Sequence, residues 1–166
     1  MGFLDKLRGK EQKKDKPNPY DLDLDGVDKE YSALERRDGQ GKSSCDWSLD
    51  GYWFIHNGGR IDEAIEYFNK ALKIDTRYQG AWLGRGYCLM SLGIYDKAIA
   101  CFNEILKLDP DVVADCCFAE AWNKKGQCYE AMGNEGEARK AYFKANELEY
   151  TKEGDTYPGL KIPTHI

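Results

Sequence analysis

The sequence predicts an all-α fold, about three stacked helix-turn-helix hairpins behind a flexible N-terminal segment. One observation is a recurring first-helix pattern. Trp47, Trp82 and Trp122 are followed four residues later by Gly51, Gly86 and Gly126, and three residues after those by Phe54, Leu89 and Tyr129, a spacing that falls on one helical face. A second is the matching second-helix pattern: Ala64, Ala98 and Ala138 precede Phe68, Phe102 and Tyr142 by four residues, and Ala71, Ile105 and Ala145 follow three later. The third is punctuation. Gly59, Gly93 and Gly133 stand between the two patterns, where a helix end favours left-handed backbone.

Composition narrows the function. A chain of 166 residues has room for one domain and tails, so no separate catalytic domain is expected beside the repeats. Hydrophobic residues make up 42% and charged residues 32%, with a mean hydropathy of −0.70, enough for a core under a well-solvated surface. The net charge of −5 argues against nucleic acid, whose binders present a clustered basic face to phosphates. No apolar run approaches the roughly 20 residues of a membrane span, and the N-terminus lacks the apolar core of a secretory signal, so a cytoplasmic location is expected. The cysteines Cys45, Cys88, Cys101, Cys116, Cys117 and Cys128 are then expected to be reduced packing thiols.

Taken in order, residues 1–18 form a basic, flexible N-terminal segment. Phe3, Leu4 and Leu7 share one side of a short helix there; membrane contact through residues 1–10 is the weaker alternative to a free terminus, because three side chains bury little. Residues 19–45 form an acidic linker in which Val27, Tyr31 and Leu34 can support a short helix over 25–38. The repeat domain spans 46–150, in units of about 46–78, 79–112 and 119–150. Successive alanines stand 34 and then 40 residues apart, and the excess falls in 111–118, where Asp109-Pro110 has the form of an N-cap and a first-turn proline. The third unit's first helix is therefore expected to be extended by about 1.7 turns. Val112, Val113, Cys116 and Cys117 make an apolar stripe on that extension, expected to pack on the preceding hairpin, with a partner-docking ridge as the alternative. Residues 151–166, with Tyr157, Leu160, Ile162 and Ile166, are too apolar for a free tail and are expected to cap the last helix.

Catalysis finds little support. His56 and His165 are the two histidines, and neither has a nucleophile or an orienting acid at a telling spacing. Cys116, Cys117 and Cys128 share one predicted helix without the paired turns of structural zinc. No catalytic residue, metal or cofactor is expected.

The units resemble tetratricopeptide repeats. The best match is Ala81 to Pro110, which carries Trp82, Gly86, Gly93, Tyr95, Ala98, Phe102 and Pro110, and the interval of 34 residues equals that family's repeat length. The family's leucine before the first glycine is replaced by Asp50, Arg85 and Lys125, so that position is expected to lie outside the core, the Arg85 and Lys125 stems lying along apolar surface. With Asp50 and an extra residue in the 56–59 turn, the first unit departs furthest. The resemblance implies a right-handed superhelix whose first helices line a concave groove for a peptide or helix of a partner protein. Transferred to this register, the lining residues stand one, two, five, eight and nine after each Trp. Tyr52, Ile55, Leu83, Tyr87, Met90, Asn123, Lys124 and Gln127 are the candidate partner-binding residues, flanked by Ser48, Leu49, Gly84 and Glu130. The expected function is a non-enzymatic protein–protein interaction adaptor, a monomer or weak homodimer. The rival is a self-assembling or membrane-tethered structural subunit using the 112–117 ridge and the N-terminal segment.

Overall fold

Each hairpin begins and turns on local signals. Ser43 opens α1 (Ser44–His56): its hydroxyl accepts from the Asp46 N–H, and the Asp46 carboxylate accepts from the Ser43 N–H at 2.8 Å. The remaining helices are α2 (Ile61–Ile74), α3 (Gln79–Ser91), α4 (Tyr95–Leu106), α5 (Asp115–Ala131) and α6 (Glu135–Tyr150). Gly93, at φ 73°, ends α3 so that the Ile94 N–H reaches the Leu89 carbonyl at 2.8 Å. Gly133 repeats this arrangement after α5 for Asn134 and Tyr129. In the first hairpin Gly58 and Gly59 absorb the extra residue, and the Arg60 N–H reaches back to the Phe54 carbonyl at 3.3 Å.

The structure is a computed structural model that describes residues 20–22, 37–111, 113 and 115–150. Among them every regular element is a helix. The pairs α1/α2, α3/α4 and α5/α6 are hairpins, joined through α2 against α3 and α4 against α5, while α1 meets α3 and α3 meets α5. This is an all-α superhelical stack. The second helices carry the core: Ala64, Ile65, Phe68, Ala71 and Leu72 are buried on α2, and Ala98, Ile99, Phe102 and Ile105 on α4, the stripe of a helix buried on one side. Those helices approach the first helices over glycine. A β-carbon at Gly86 would sit 2.5 Å from Phe102 Cε1, and one at Gly126 would sit 2.5 Å from Tyr142 Cε1. Gly84 packs against Phe68 of the preceding hairpin in the same way, so it belongs to the seam between units and not to a groove lining.

Three other expectations change. The helix expected to extend over 111–118 begins only at Asp115. Asp109 instead closes its own turn, its carboxylate accepting from the Asp111 N–H and its carbonyl from the Val113 N–H, and the chain bends there so that Val113 can enter the core. Arg85 and Lys125 are buried, not external. Arg85 finds acceptors in Asn69, Cys101 and the Tyr20 carbonyl, and Lys125 lies over the Trp122 ring at 4.1 Å. Within the expected linker, Tyr20 and Leu22 pack against the core, and Asp38 accepts from Trp47 Nε1 at 2.8 Å. The N-terminal segment over 1–18, most of the linker helix over 25–38 and the cap over 151–166 lie outside the described residues.

A methyl group at Gly86 has no room between α3 and α4. Gly86→Ala is expected to lower stability by about 1–3 kcal/mol, read as a lower urea midpoint at unchanged slope. Gly136→Ala is the control: that α6 site is open, with nothing within 4 Å of a β-carbon, and the exchange should be neutral or stabilising.

Candidate partner-binding face

The side chains five residues after each Trp show what the α1–α3–α5 face is made of. The Tyr52 hydroxyl donates to the Gly80 carbonyl at 3.0 Å, and the Tyr87 hydroxyl donates to Glu120. Gly80 and Glu120 hold the same register, two residues before the next unit's Trp. Each tyrosine therefore ties its own first helix to the first turns of the next one. The rings also pack inward, Tyr52 edge-on to Phe68 with centroids 5.0 Å apart and Tyr87 tilted against Phe102 at 6.4 Å. At the corresponding place on α5 stands Gln127, whose amide donates to Asn123 Oδ1 at 2.9 Å and accepts from Lys124 Nζ at 3.4 Å. Lys124 also lies over the Tyr87 ring, 5.1 Å from its centroid, joining α5 to α3.

All eight candidate residues are half-buried. Tyr52, Ile55, Leu83, Tyr87 and Met90 pack partly against the core and present their remaining surface on α1 and α3, while Asn123, Lys124 and Gln127 form a polar cluster on α5. The flanking positions separate. Ser48 is buried in α1, whereas Leu49 is 62% exposed. Sequence reasoning missed Gly80 and Glu120 as partners of the tyrosines. The signal was available in the shared register two residues before Trp82 and Trp122, but a glycine carbonyl has no side chain to draw attention.

Burial raises the Tyr52 hydroxyl to about 12, helped by the Glu120 charge, so it remains a neutral donor at ordinary pH. Burial likewise pushes the Cys88 thiol up to about 12 and Cys128 to about 11, which keeps both protonated and unreactive. Among the described residues no group of three or more His, Cys, Asp and Glu is placed to hold a metal ion, and no helix is long and apolar enough to cross a membrane.

Two models of the tetratricopeptide repeat match the chain, one over residues 80–112 and the other over 56–78 and 119–152, together more than half its length. An uncharacterised protein of Methanocaldococcus jannaschii is 40% identical over 48 residues, which are 29% of this chain and 56% of that protein. Heat shock protein STI1 of Saccharomyces cerevisiae is 30% identical over 89 residues, 53% of this chain and 14% of that protein. The chain thus spans about half the first relative and a small part of the second. The crystal structure of MamA protein superposes with a TM-score of 0.58 at 26% identity, covering 73% of this chain and 61% of that one.

Because Tyr52 titrates higher in the folded chain than its ordinary 10.0, the unfolded chain gives up that proton first as pH rises. Its contribution is complete below pH 10 and is lost as pH climbs to about 12. Tyr52→Phe is expected to cost about 0.5–1.5 kcal/mol at pH 7 through the lost bond to Gly80. It should also make stability fall less steeply from neutral to alkaline pH. Urea unfolding of both proteins at pH 7 and pH 11 checks both points.

Proposed function

The chain belongs to the tetratricopeptide repeat family, and from that premise we propose that it is a non-catalytic interaction adaptor whose α1–α3–α5 face receives an extended or helical segment of a partner protein. The observation that carries the reading is the division of labour on this face. The tyrosine hydroxyls are engaged between units, so the half-buried rings of Tyr52 and Tyr87, with Leu83 and Met90, offer apolar contact on a pre-organised support. The Asn123–Lys124–Gln127 cluster supplies amide and ammonium groups at the other end for a partner's backbone or a carboxylate. Membership of the repeat family and the likeness of fold to MamA support a protein-interaction scaffold in general. On this reading the chain works as a monomer or weak homodimer in a reducing, cytoplasmic setting, without nucleic acid. The rival self-assembling subunit loses part of its apolar ridge, since Val113 is buried and Cys117 is partly covered by the core.

The test spares the inter-unit tyrosines. A Met90→Ala/Asn123→Ala/Lys124→Ala/Gln127→Ala variant with an unchanged thermal melt is compared with wild type in affinity purification from the native lysate, then by titration of the protein retained. At least about tenfold weaker binding by the variant is expected. Equal retention of the same protein by both chains would remove this face as the working surface.

A further inference from the structure

The outer side of the stack holds a second groove, and this chain's own Tyr20-Asp21-Leu22 lies in it. Arg85 Nη2 donates to the Tyr20 carbonyl at 2.5 Å, Lys97 Nζ donates to Asp21 at 2.6 Å, and the Tyr20 hydroxyl donates to Asp62 at 3.3 Å. Tyr20 and Leu22 also rest partly on the core. The segment itself forms one wall of a cavity of about 360 Å³, whose other walls are Trp82, Arg85, Lys97, Ala100, Cys101 and Glu104. Among the described residues, space thus remains between the segment and α3 and α4.

The floor of this groove is charged. Arg85 is 4% exposed, yet among the described residues its partners are neutral acceptors: Asn69 Oδ1, Cys101 Sγ and the Tyr20 carbonyl. A buried guanidinium is best matched by extended backbone or carboxylate oxygens, because its planar donors are fixed and its desolvation is costly. The resident segment meets that need incompletely. Its one carboxylate, Asp21, goes to Lys97 in an ion pair whose acidic side chain is 66% exposed, a type of contact that solvent screens. Tethering reinforces its hydrogen bonds and apolar contacts, since a linked segment competes at an effective concentration on the order of millimolar.

We propose that this outer groove is a second peptide-binding site, separate from the α1–α3–α5 face, that takes an extended partner segment of aromatic–acidic–aliphatic character in place of Tyr20-Asp21-Leu22. The resident segment displays the recognition chemistry: a backbone carbonyl on Arg85, a carboxylate on Lys97, and apolar side chains against α2 and α4. The segment leaves Arg85 without a carboxylate, and the space beside it accommodates a bulkier sequence that supplies one. The adaptor thereby carries two addresses, of which the outer one is occluded until a partner of this chemistry competes.

The probe is a fluorescein-labelled peptide copying residues 17–25, titrated by anisotropy into the full chain. The strap variant Tyr20→Ala/Asp21→Lys/Leu22→Ala is expected to bind it at least tenfold more tightly than wild type, and adding Lys97→Glu should abolish that gain. A folded strap variant, judged by circular dichroism, that binds no more tightly than wild type would sink the proposal, as would a gain indifferent to Lys97→Glu. Loss of binding on Met90→Ala/Gln127→Ala would put the peptide on the inner face and overturn it equally, whereas unchanged binding separates this site from the adaptor reading. A wild-type chain that sediments as a dimer and becomes monomeric in the strap variant would make a second copy the occupant and refute an outside partner.

Discussion

Everything in this molecule depends on how closely two helices of a hairpin can approach. At Gly51, Gly86 and Gly126 the first helix has no side chain, and the aromatic ring of Phe68, Phe102 or Tyr142 fills the space a β-carbon would need. That contact brings paired helices together at short range, where dispersion and apolar burial are strongest. Gly84 extends it across the boundary between units, since Phe68 of the first hairpin lies against the backbone of the second. One ring thus serves two interfaces. This is the physical form of nearest-neighbour coupling in a repeat stack: no hairpin buries its rings without the next.

The same logic explains the ends. Cys88 and Cys128 are almost wholly buried because a preceding unit covers them, whereas Trp53, in the same register on α1, is 55% exposed alongside Leu49. Position within the array, and not residue type, sets burial here. On the α5–α6 hairpin Phe143 and Met132 are exposed among the described residues, and Tyr142 donates to Glu130 within its own unit at 2.7 Å.

Between these limits the two faces of the stack differ in how they are organised. On the inner face Tyr52 and Tyr87 hold successive first helices at fixed spacing, so rings and amides are presented on a support whose geometry is already set. On the outer face the support is Arg85, a cation drawn into the seam between α3, α2 and α4 and satisfied partly by a distant stretch of the chain. A residue at a position normally filled by an apolar side chain thereby becomes the base of a groove. Burial makes its hydrogen bonds strong and its lack of a carboxylate costly.

The sequence by itself determined the class of fold, the six-helix count in the repeat region and the glycine-ended turns, because each rests on short-range spacing: Trp to Gly by four, Ala to aromatic by four, Gly between. It also gave Tyr52, Tyr87 and Gln127 an equivalent register in the three units, five residues after each Trp. It misjudged Arg85, because burial of a long cation depends on which distant acceptors reach it, here Tyr20 and Asn69, and it misjudged Lys125, which lies over the ring of Trp122 one turn before it on its own helix. It overextended α5, which is described from Asp115, because burial of Val113 and the turn closed by Asp109 are tertiary and local contacts that helix periodicity does not report. Only the tertiary structure decided that the tyrosine hydroxyls serve neighbouring units and that Tyr20–Leu22 closes on the outer groove. Both depend on contacts between residues far apart in the chain, which no local pattern encodes.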